Sequence, residues 1–426
     1  MQSDVLTIDH AANTGSYCVK QSHPHRRLRA WSWSAFAFCA LGPLLHGTAS
    51  ADRYQLGGGF EGGAKIEATA VSVDNYFYQD AGAISANGYR IRPEVSLNRP
   101  GQSTQLAISG FAENSDFDLP GELDNYVDYG ASGDFGWRPF RRHAFDFSGA
   151  FRRGHDPSGL QRTEQGPNFA VGDMDRWNQT STYLLYRYGA PDSLASNTLR
   201  AGRTQRKYQT NRDDTVFLDY TVRELQYELA YEYSPRTAVL FNAEQRVTDY
   251  ARSTLASVGN RNGNELTLTG GLRWVATAKT SGDFRLGIRN YSVDGRGQPA
   301  RQSLAYRGTI RWNPSAVTAF KLGLGQSTTE TFRADTFFID ERKLDLNWEQ
   351  TWSTRFSTNA AIGYINSEFV GSAREDNFIS ASLGFDYLLM RQLKVFGQYL
   401  SRNRDSSFRT LDYDAPESKL GLRWTL

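Results

Sequence analysis

Cysteine is nearly absent from this chain of 426 residues: it has two, Cys18 and Cys39, both within the first 51 positions. Beyond residue 51 neither disulfides nor thiol chemistry are available, so packing, hydrogen bonds and ion pairs must hold the fold. Histidine is almost as scarce. Only His143 and His155 follow residue 51, which leaves no cluster with metal-ligand spacing, and neither metal nor cofactor is expected. Apolar runs of membrane-helix length are missing from the rest of the chain. Net charge is missing too. Lys20, Arg26, Arg27 and Arg29 and the acids Asp4 and Asp9 lie in the first 51 residues, leaving 44 basic and 44 acidic residues of the original 48 and 46. No basic surplus remains for nucleic acid.

The first 51 residues have their own character. Arg26-Arg27-Leu28-Arg29 is a basic stretch, residues 30–45 are mostly apolar, and Ala49-Ser50-Ala51 is a small-x-small site before Asp52. This predicts a signal peptide with a long n-region over 1–51, cleaved near Ala51, and a single domain over 52–426. Cys39 follows Phe-Ala-Phe, without the small residues that acylation requires.

What the chain has instead is alternation. In its last ten residues Leu420, Leu422, Trp424 and Leu426 fall on one strand face, and Lys419, Gly421, Arg423 and Thr425 on the other. Leu225, Tyr227, Leu229, Tyr231 and Tyr233 likewise oppose Glu224, Gln226, Glu228 and Glu232. Charges this frequent cannot fill a dry sandwich core, because an unpaired buried charge costs several kcal/mol. A barrel with lipid outside and water inside satisfies both faces, and mean hydropathy stays low because only alternate residues meet lipid.

From about residue 219 a unit of roughly 36 to 43 residues recurs: strand, tight turn, strand, longer polar loop. Extending it predicts about 18 strands, at 62–74, 87–97, 102–113, 126–138, 142–153, 174–188, 196–209, 219–234, 236–250, 263–277, 280–294, 302–313, 317–331, 338–352, 354–368, 374–389, 391–404 and 415–426. The fold class is therefore all-β: a transmembrane antiparallel up-and-down barrel with short periplasmic turns and longer extracellular loops. Trp137, Trp274, Trp312, Trp352 and Trp424 fall at periplasmic strand ends and Trp177 near an outer end, as a membrane-interface girdle requires.

Function is expected on the lumen face. Its basic candidates are Arg246, Arg273, Arg285, Arg289, Arg307, Arg311, Lys321, Lys343, Arg355, Lys394 and Arg423; its acidic candidates are Glu224, Glu228, Glu232, Glu244, Glu265, Asp345, Glu349 and Asp386. The acidic strand 219–234 and the basic strands 263–331 suggest opposed walls and a transverse field across a pore, or else charges that pair across strands. The 154–173 connection, with Arg162, Glu164, Gly166 and Pro167, reads as a solvated surface loop rather than an inward constriction.

Enzyme chemistry finds little footing. His143 stands beside Arg141 and Arg142, and His155 lies in the turn composition Gly154-His155-Asp156-Pro157. Asp213-Asp214 and Glu224 with Glu228 read as loop and lumen charge rather than a glycosidase pair. Gly57-Gly58-Gly59 lacks the Lys-Ser/Thr of a phosphate loop. No catalytic residue is assigned, and the expectation is a channel without chemistry of its own.

Two resemblances add to this. The spacing Lys419, Gly421, Trp424, Leu426 resembles the terminal signal read by the barrel-assembly machinery, with Leu in place of the usual Phe. Asp74-Asn75-Tyr76-Phe77, the Tyr231-x-x-Ser234-Pro235-Arg236-Thr237 and Trp274-x-x-Thr277-x-Lys279-Thr280 hairpins, and residues 416–426 resemble the β-barrel porin family encoded beside exopolysaccharide-synthesis genes (the EpsL type). That resemblance implies a Gram-negative outer-membrane channel in contact with membrane lipid. It further implies secretion of an exopolysaccharide delivered by a periplasmic polysaccharide-export protein. A general or sugar-selective diffusion porin is the alternative.

Overall fold

The computed structural model describes residues 54–119, 125–164, 174–190, 193–255, 259–294, 300–333 and 335–426. Eighteen antiparallel strands form one closed wall: β1 Phe60–Val73, β2 Ala86–Arg99, β3 Thr104–Phe117, β4 Tyr126–Phe140, β5 His143–His155, β6 Arg176–Tyr188, β7 Ala195–Tyr208, β8 Tyr220–Ser234, β9 Thr237–Tyr250, β10 Gly263–Thr277, β11 Thr280–Val293, β12 Ala300–Ser315, β13 Thr318–Thr329, β14 Phe338–Thr351, β15 Phe356–Val370, β16 Glu375–Met390, β17 Leu393–Ser406 and β18 Glu417–Thr425. Each pairs with its neighbours in sequence. The last strand returns to the first through rungs from Lys65↔Thr425 to Val73↔Glu417. Closure removes the sheet edges that a bilayer cannot tolerate.

The two-residue period sorts the side chains. Leu225, Tyr227, Tyr231 and Tyr233 of β8, Leu344 and Leu346 of β14 and Leu420 and Leu422 of β18 are exposed on the outside. Glu224 and Glu228, Asp345, and Lys419 and Arg423 lie on the opposite faces of the same strands. Periplasmic turns are tight. Ser234 is separated from Thr237, and Thr277 from Thr280, by two residues.

The outer end is not an open mouth. Trp177, Tyr208, Leu218, Phe332, Ile339 and Phe369 form one buried cluster, although β6 and β7 lie across the barrel from β14 and β15. They meet because the connection 209–219 and the described residues between β13 and β14 fold inward. A second cluster joins Val71, Val73, Phe77, Ala86, Phe117, Leu119, Tyr126 and Met174. A third joins Leu160 to Tyr413 and Ala415. Burying a side chain of this size is worth roughly 1.5–3 kcal/mol, enough in sum to hold short loops off their solvated positions.

Two expectations are corrected here. The 154–173 connection is not a solvated surface loop over its described part: Leu160 and Gln161 are buried, and Glu164 accepts hydrogen bonds from Arg374 and Arg404. Gly166 and Pro167 lie outside the described residues. Trp177 is not an interface residue. It is 2% exposed and shares the inner face of β6 with Gln179 and Ser181, while Leu184 and Tyr188 face outward. Its indole N–H finds Asp156 Oδ1 at 2.9 Å, a partner that lipid would not provide.

Backbone geometry records how tightly the inward loops are set. Tyr78 and Gln161 hold φ of 55° and Asn211 of 50°, values costly for residues other than glycine. Gly159, at φ +83°, is required: a Cβ there would collide with the Phe77 carbonyl oxygen.

Candidate functional site: the lumen and its outer closure

The inner wall is a set of ion-pair networks whose members come from neighbouring strands. Glu228 of β8 accepts from Arg273 of β10 at 3.0 Å and pairs with Arg285 of β11 at 2.7 Å. Asp283 joins the same two arginines at 3.6 and 3.1 Å. Glu224 meets Arg246 of β9 at 3.5 Å, and Arg246 also reaches Glu330. At the closure, Arg423 of β18 contacts Glu67 of β1 at 2.6 Å and Asp386 of β16 at 3.2 Å. Arg402, Lys419 and Arg90 surround Glu417 at 3.0, 3.2 and 3.5 Å.

This arrangement overturns the opposed-wall picture. Strand β8 is two strands from β10, not across from it, and its Glu228 is engaged by the very arginines expected to face it across a gap. Local pairing wins because each buried charge left alone would cost several kcal/mol.

The remaining expected residues divide by depth. Arg289 is buried against Asp340 of β14 at 2.6 Å. Glu244, Glu265, Glu232, Arg307, Asp345 and Lys394 are half-buried on inner faces. Lys343 contacts Glu341 at 2.8 Å. Arg311, Lys321 and Glu349 are exposed near the periplasmic end, with Arg311 and Lys321 opposite one another on β12 and β13. Arg355 lies outside the strands, in the exposed turn between β14 and β15. Of the tryptophans, Trp137, Trp312, Trp352 and Trp424 are exposed and Trp274 is half-buried. At the terminus Lys419 points inward, Phe396 covers Gly421, and the Leu426 N–H donates to Ala64 O at 2.8 Å.

The outer closure was not foreseen. At its centre Arg374 donates to both oxygens of Glu164, at 2.6 and 2.9 Å, and to Asp376. Arg404 reaches Glu164 Oε1 at 2.7 Å, and the Phe369 ring lies 4.2 Å below the Arg374 guanidinium. Burial alone would lower the Arg374 pKa, but its hydrogen bonds to Glu164 and Asp376 outweigh burial and raise it. Beside Trp177, Asp156 accepts from Tyr208 Oη at 2.7 Å. Burial pushes the Asp156 carboxyl above the usual range, against the opposing pull of Arg206 and the Tyr208 hydroxyl. Arg206 stacks 4.0 Å from the Trp177 ring and donates to Gln179. The two histidines are held separately, His143 Nδ1 at 3.0 Å from Tyr186 Oη and His155 Nδ1 at 3.0 Å from Asp128 Oδ1. One signal for Trp177 was available in the sequence: it falls out of step with Leu184, Tyr186 and Tyr188. Nothing comparable marks Glu164.

Residues 197–426 match the family described as "Putative beta-barrel porin 2". Among solved structures, the outer membrane protein opdK from Pseudomonas aeruginosa is 12% identical, covering 86% of this chain and 99% of that one, at a TM-score of 0.46. OccAB4 from Acinetobacter baumannii is 12% identical over 86% and 98% of the two chains, with a TM-score of 0.44. The FrpB iron transporter (F3-3 variant) from Neisseria meningitidis is 10% identical over 85% and 81%, with a TM-score of 0.44. Likeness at this level carries no information on solute. No curated protein matches the chain.

Proposed function

The chain belongs to the family described as "Putative beta-barrel porin 2", and from that premise we propose that it is a passive outer-membrane channel whose outer mouth is closed by its own loops. The carrying observation is the combination of a charged inner wall with a packed closure held at Glu164 and Trp177. An 18-stranded barrel is wide enough to leave an aqueous lumen, and side-chain charges lining it favour polar solutes. No step of the function requires bond making.

The preferred cargo is an exopolysaccharide moving outward, handed over by a periplasmic export protein. The resemblance of the Tyr231–Thr237 and Trp274–Thr280 hairpins supports that cargo. On this reading a growing polymer displaces the loops from within. The packed outer mouth favours one second reading, a sugar-selective diffusion porin admitting small solutes. Deleting the gene separates them: loss of surface polysaccharide with synthesis intact supports secretion, whereas slowed sugar entry with normal polysaccharide supports the porin.

Three further assignments belong to the same proposal. Residues 1–51 act as a signal peptide. Trp137, Trp274, Trp312, Trp352 and Trp424 settle at the periplasmic headgroup level. Lys419, Gly421, Trp424 and Leu426 present the terminal strand to the barrel-assembly machinery.

A further inference from the structure

On β4, β10 and β16 the lipid-facing stripe stays apolar into the outer leaflet. Trp137, Trp274 and Trp312 mark one periplasmic level once a stagger of about one residue per strand is allowed. At about 3.3 Å rise and about 45° tilt, the outward residues Tyr129, Leu266 and Ile379 stand about 19 Å above that level, and all three are exposed. On β6, β7 and β8 the apolar stripe ends lower, at Leu184, Ala201 and Leu225. Above these come Thr182 and Thr180, then Arg203 and Lys207, then Arg223.

Arg203 and Arg223 are direct rung partners, about 16 and 19 Å above the tryptophan level, with Lys207 at about 26 Å. Arg153 of β5 joins them at about 21 Å. Asn178 is the rung partner of both Arg153 and Lys207. Like charges facing each other across a rung repel, and a cation on a lipid-facing wall is costly in mid-bilayer but nearly free at the interface. Among the described residues, Asp249 is the only carboxylate on the outward faces of β5–β9. It is taken by Arg223, whose Nη2 donates to Oδ2 at 2.5 Å. Arg203 and Lys207 are exposed and have no ion-pair partner among the described residues.

The unmet charge sits where a bilayer changes from hydrocarbon to headgroups. Asp249 stands about 26 Å above the tryptophan level, so Arg223 leans upward to reach it. The aliphatic stem of Arg203 is long enough to carry its guanidinium the same way. Both heads then lie at the level of Lys207, the top of an apolar band about 25 Å tall. An arginine fork matches a phosphate with two parallel hydrogen bonds, and a lysine adds a point charge. Below them Leu199 and Leu225, both exposed, offer acyl chains an apolar surface.

We propose that the outer rim of β6–β8 is a lipid site, where Arg203, Lys207 and Arg223 hold the phosphate of an outer-leaflet lipid against the barrel wall, with Arg153 at its flank. The site lies outside the lumen and is independent of what the lumen carries. It requires only that the barrel crosses an outer membrane.

The test is native mass spectrometry of the full barrel in detergent, with lipid A as the phosphorylated lipid and with lipid A stripped of its phosphates. Gel mobility before and after heating confirms that each variant is folded. The wild type should retain lipid A and bind the dephosphorylated form about tenfold more weakly. Arg203→Gln with Lys207→Gln should weaken lipid A binding about tenfold, whereas Arg203→Lys keeps most of it. Arg236→Gln with Lys279→Gln, in the periplasmic turns, should change nothing. Should the rim double variant fail to fold, Lys207→Gln alone should still weaken binding about threefold. The proposal is overturned if dephosphorylated lipid A binds equally, if the rim variants bind like wild type, or if inorganic phosphate alone displaces the lipid. It is also overturned if the rim variants change the oligomeric mass and not the lipid count, which would assign the rim to a second copy of the chain. Insertion into lipid vesicles, followed separately, tests the membrane reading itself.

Discussion

Arg423 donates from Nε to Glu67 Oε1 at 2.6 Å, binding the last strand to the first on the lumen side of the closing seam. The two are direct rung partners, so the hydrogen-bond ladder and the ion pair close the barrel at the same level. Asp386, at 3.2 Å from the same guanidinium, extends the link to β16.

Removing that arginine leaves two carboxylates facing each other with reduced compensation. Arg423→Ala should destabilise the barrel by about 3 kcal/mol, the usual scale for breaking a buried pair from one side. The midpoint of urea unfolding, followed by the heat-sensitive gel mobility of the folded barrel, measures it. Arg423→Ala with Glu67→Gln should recover part of the loss, since fewer charges are then stranded.

The closure at the outer mouth should yield to a single neutralisation. Glu164→Gln weakens two charge-assisted contacts, with Arg374 and with Arg404, each worth about 1.5–3 kcal/mol. Mean channel conductance or open time in planar bilayers should rise severalfold. Trp177→Ala should act in the same direction by opening the centre of the cross-barrel cluster.

Gly159 offers an independent test of the same closure. A Cβ in Gly159→Ala would strike the Phe77 carbonyl, at a φ that alanine adopts only under strain. The loop should lift from Tyr413 and Ala415, giving faster protease cleavage near residue 160 with an unchanged barrel core.

The closure should also respond to pH, with two opposite signs. The Asp156 carboxyl is raised by burial, so its neutral form is favoured in the closed state. Its contribution is complete below about pH 4, the unfolded value, and is lost as pH rises through the raised one. Asp335 is held low first by its hydrogen bonds from Arg333. Its contribution is present above about pH 4 and is lost as pH falls through the lowered value. Conductance recorded from pH 3 to 8 should show the Asp156 limb disappear in Asp156→Asn, which retains an acceptor for the Trp177 indole.

Much of the wall was legible because one face of each strand meets lipid and the other water. Leu225 to Tyr233 announce β8 residue by residue, and the last rungs of β18 follow from Leu420, Leu422 and Trp424. What alternation and strand order cannot convey is the register between neighbouring strands, and so the pairing of Glu228 with Arg273 and Arg285 does not follow from the sequence. Loop destinations are hidden for the same reason. Glu164 sits in a polar stretch that looks solvated, and only the barrel's curvature brings it to Arg374, 210 positions away. A tryptophan near a strand end suggests an interface, but the parity of Trp177 sets it on the inner face.

Single-channel recording of the purified barrel in planar bilayers tests the central claim most directly. The account predicts small, brief conductance steps for the wild type that become larger and longer-lived in Glu164→Gln and Trp177→Ala. If both variants fold, insert and still pass no ions, the lumen is not a channel closed by its outer loops, and the account is contradicted.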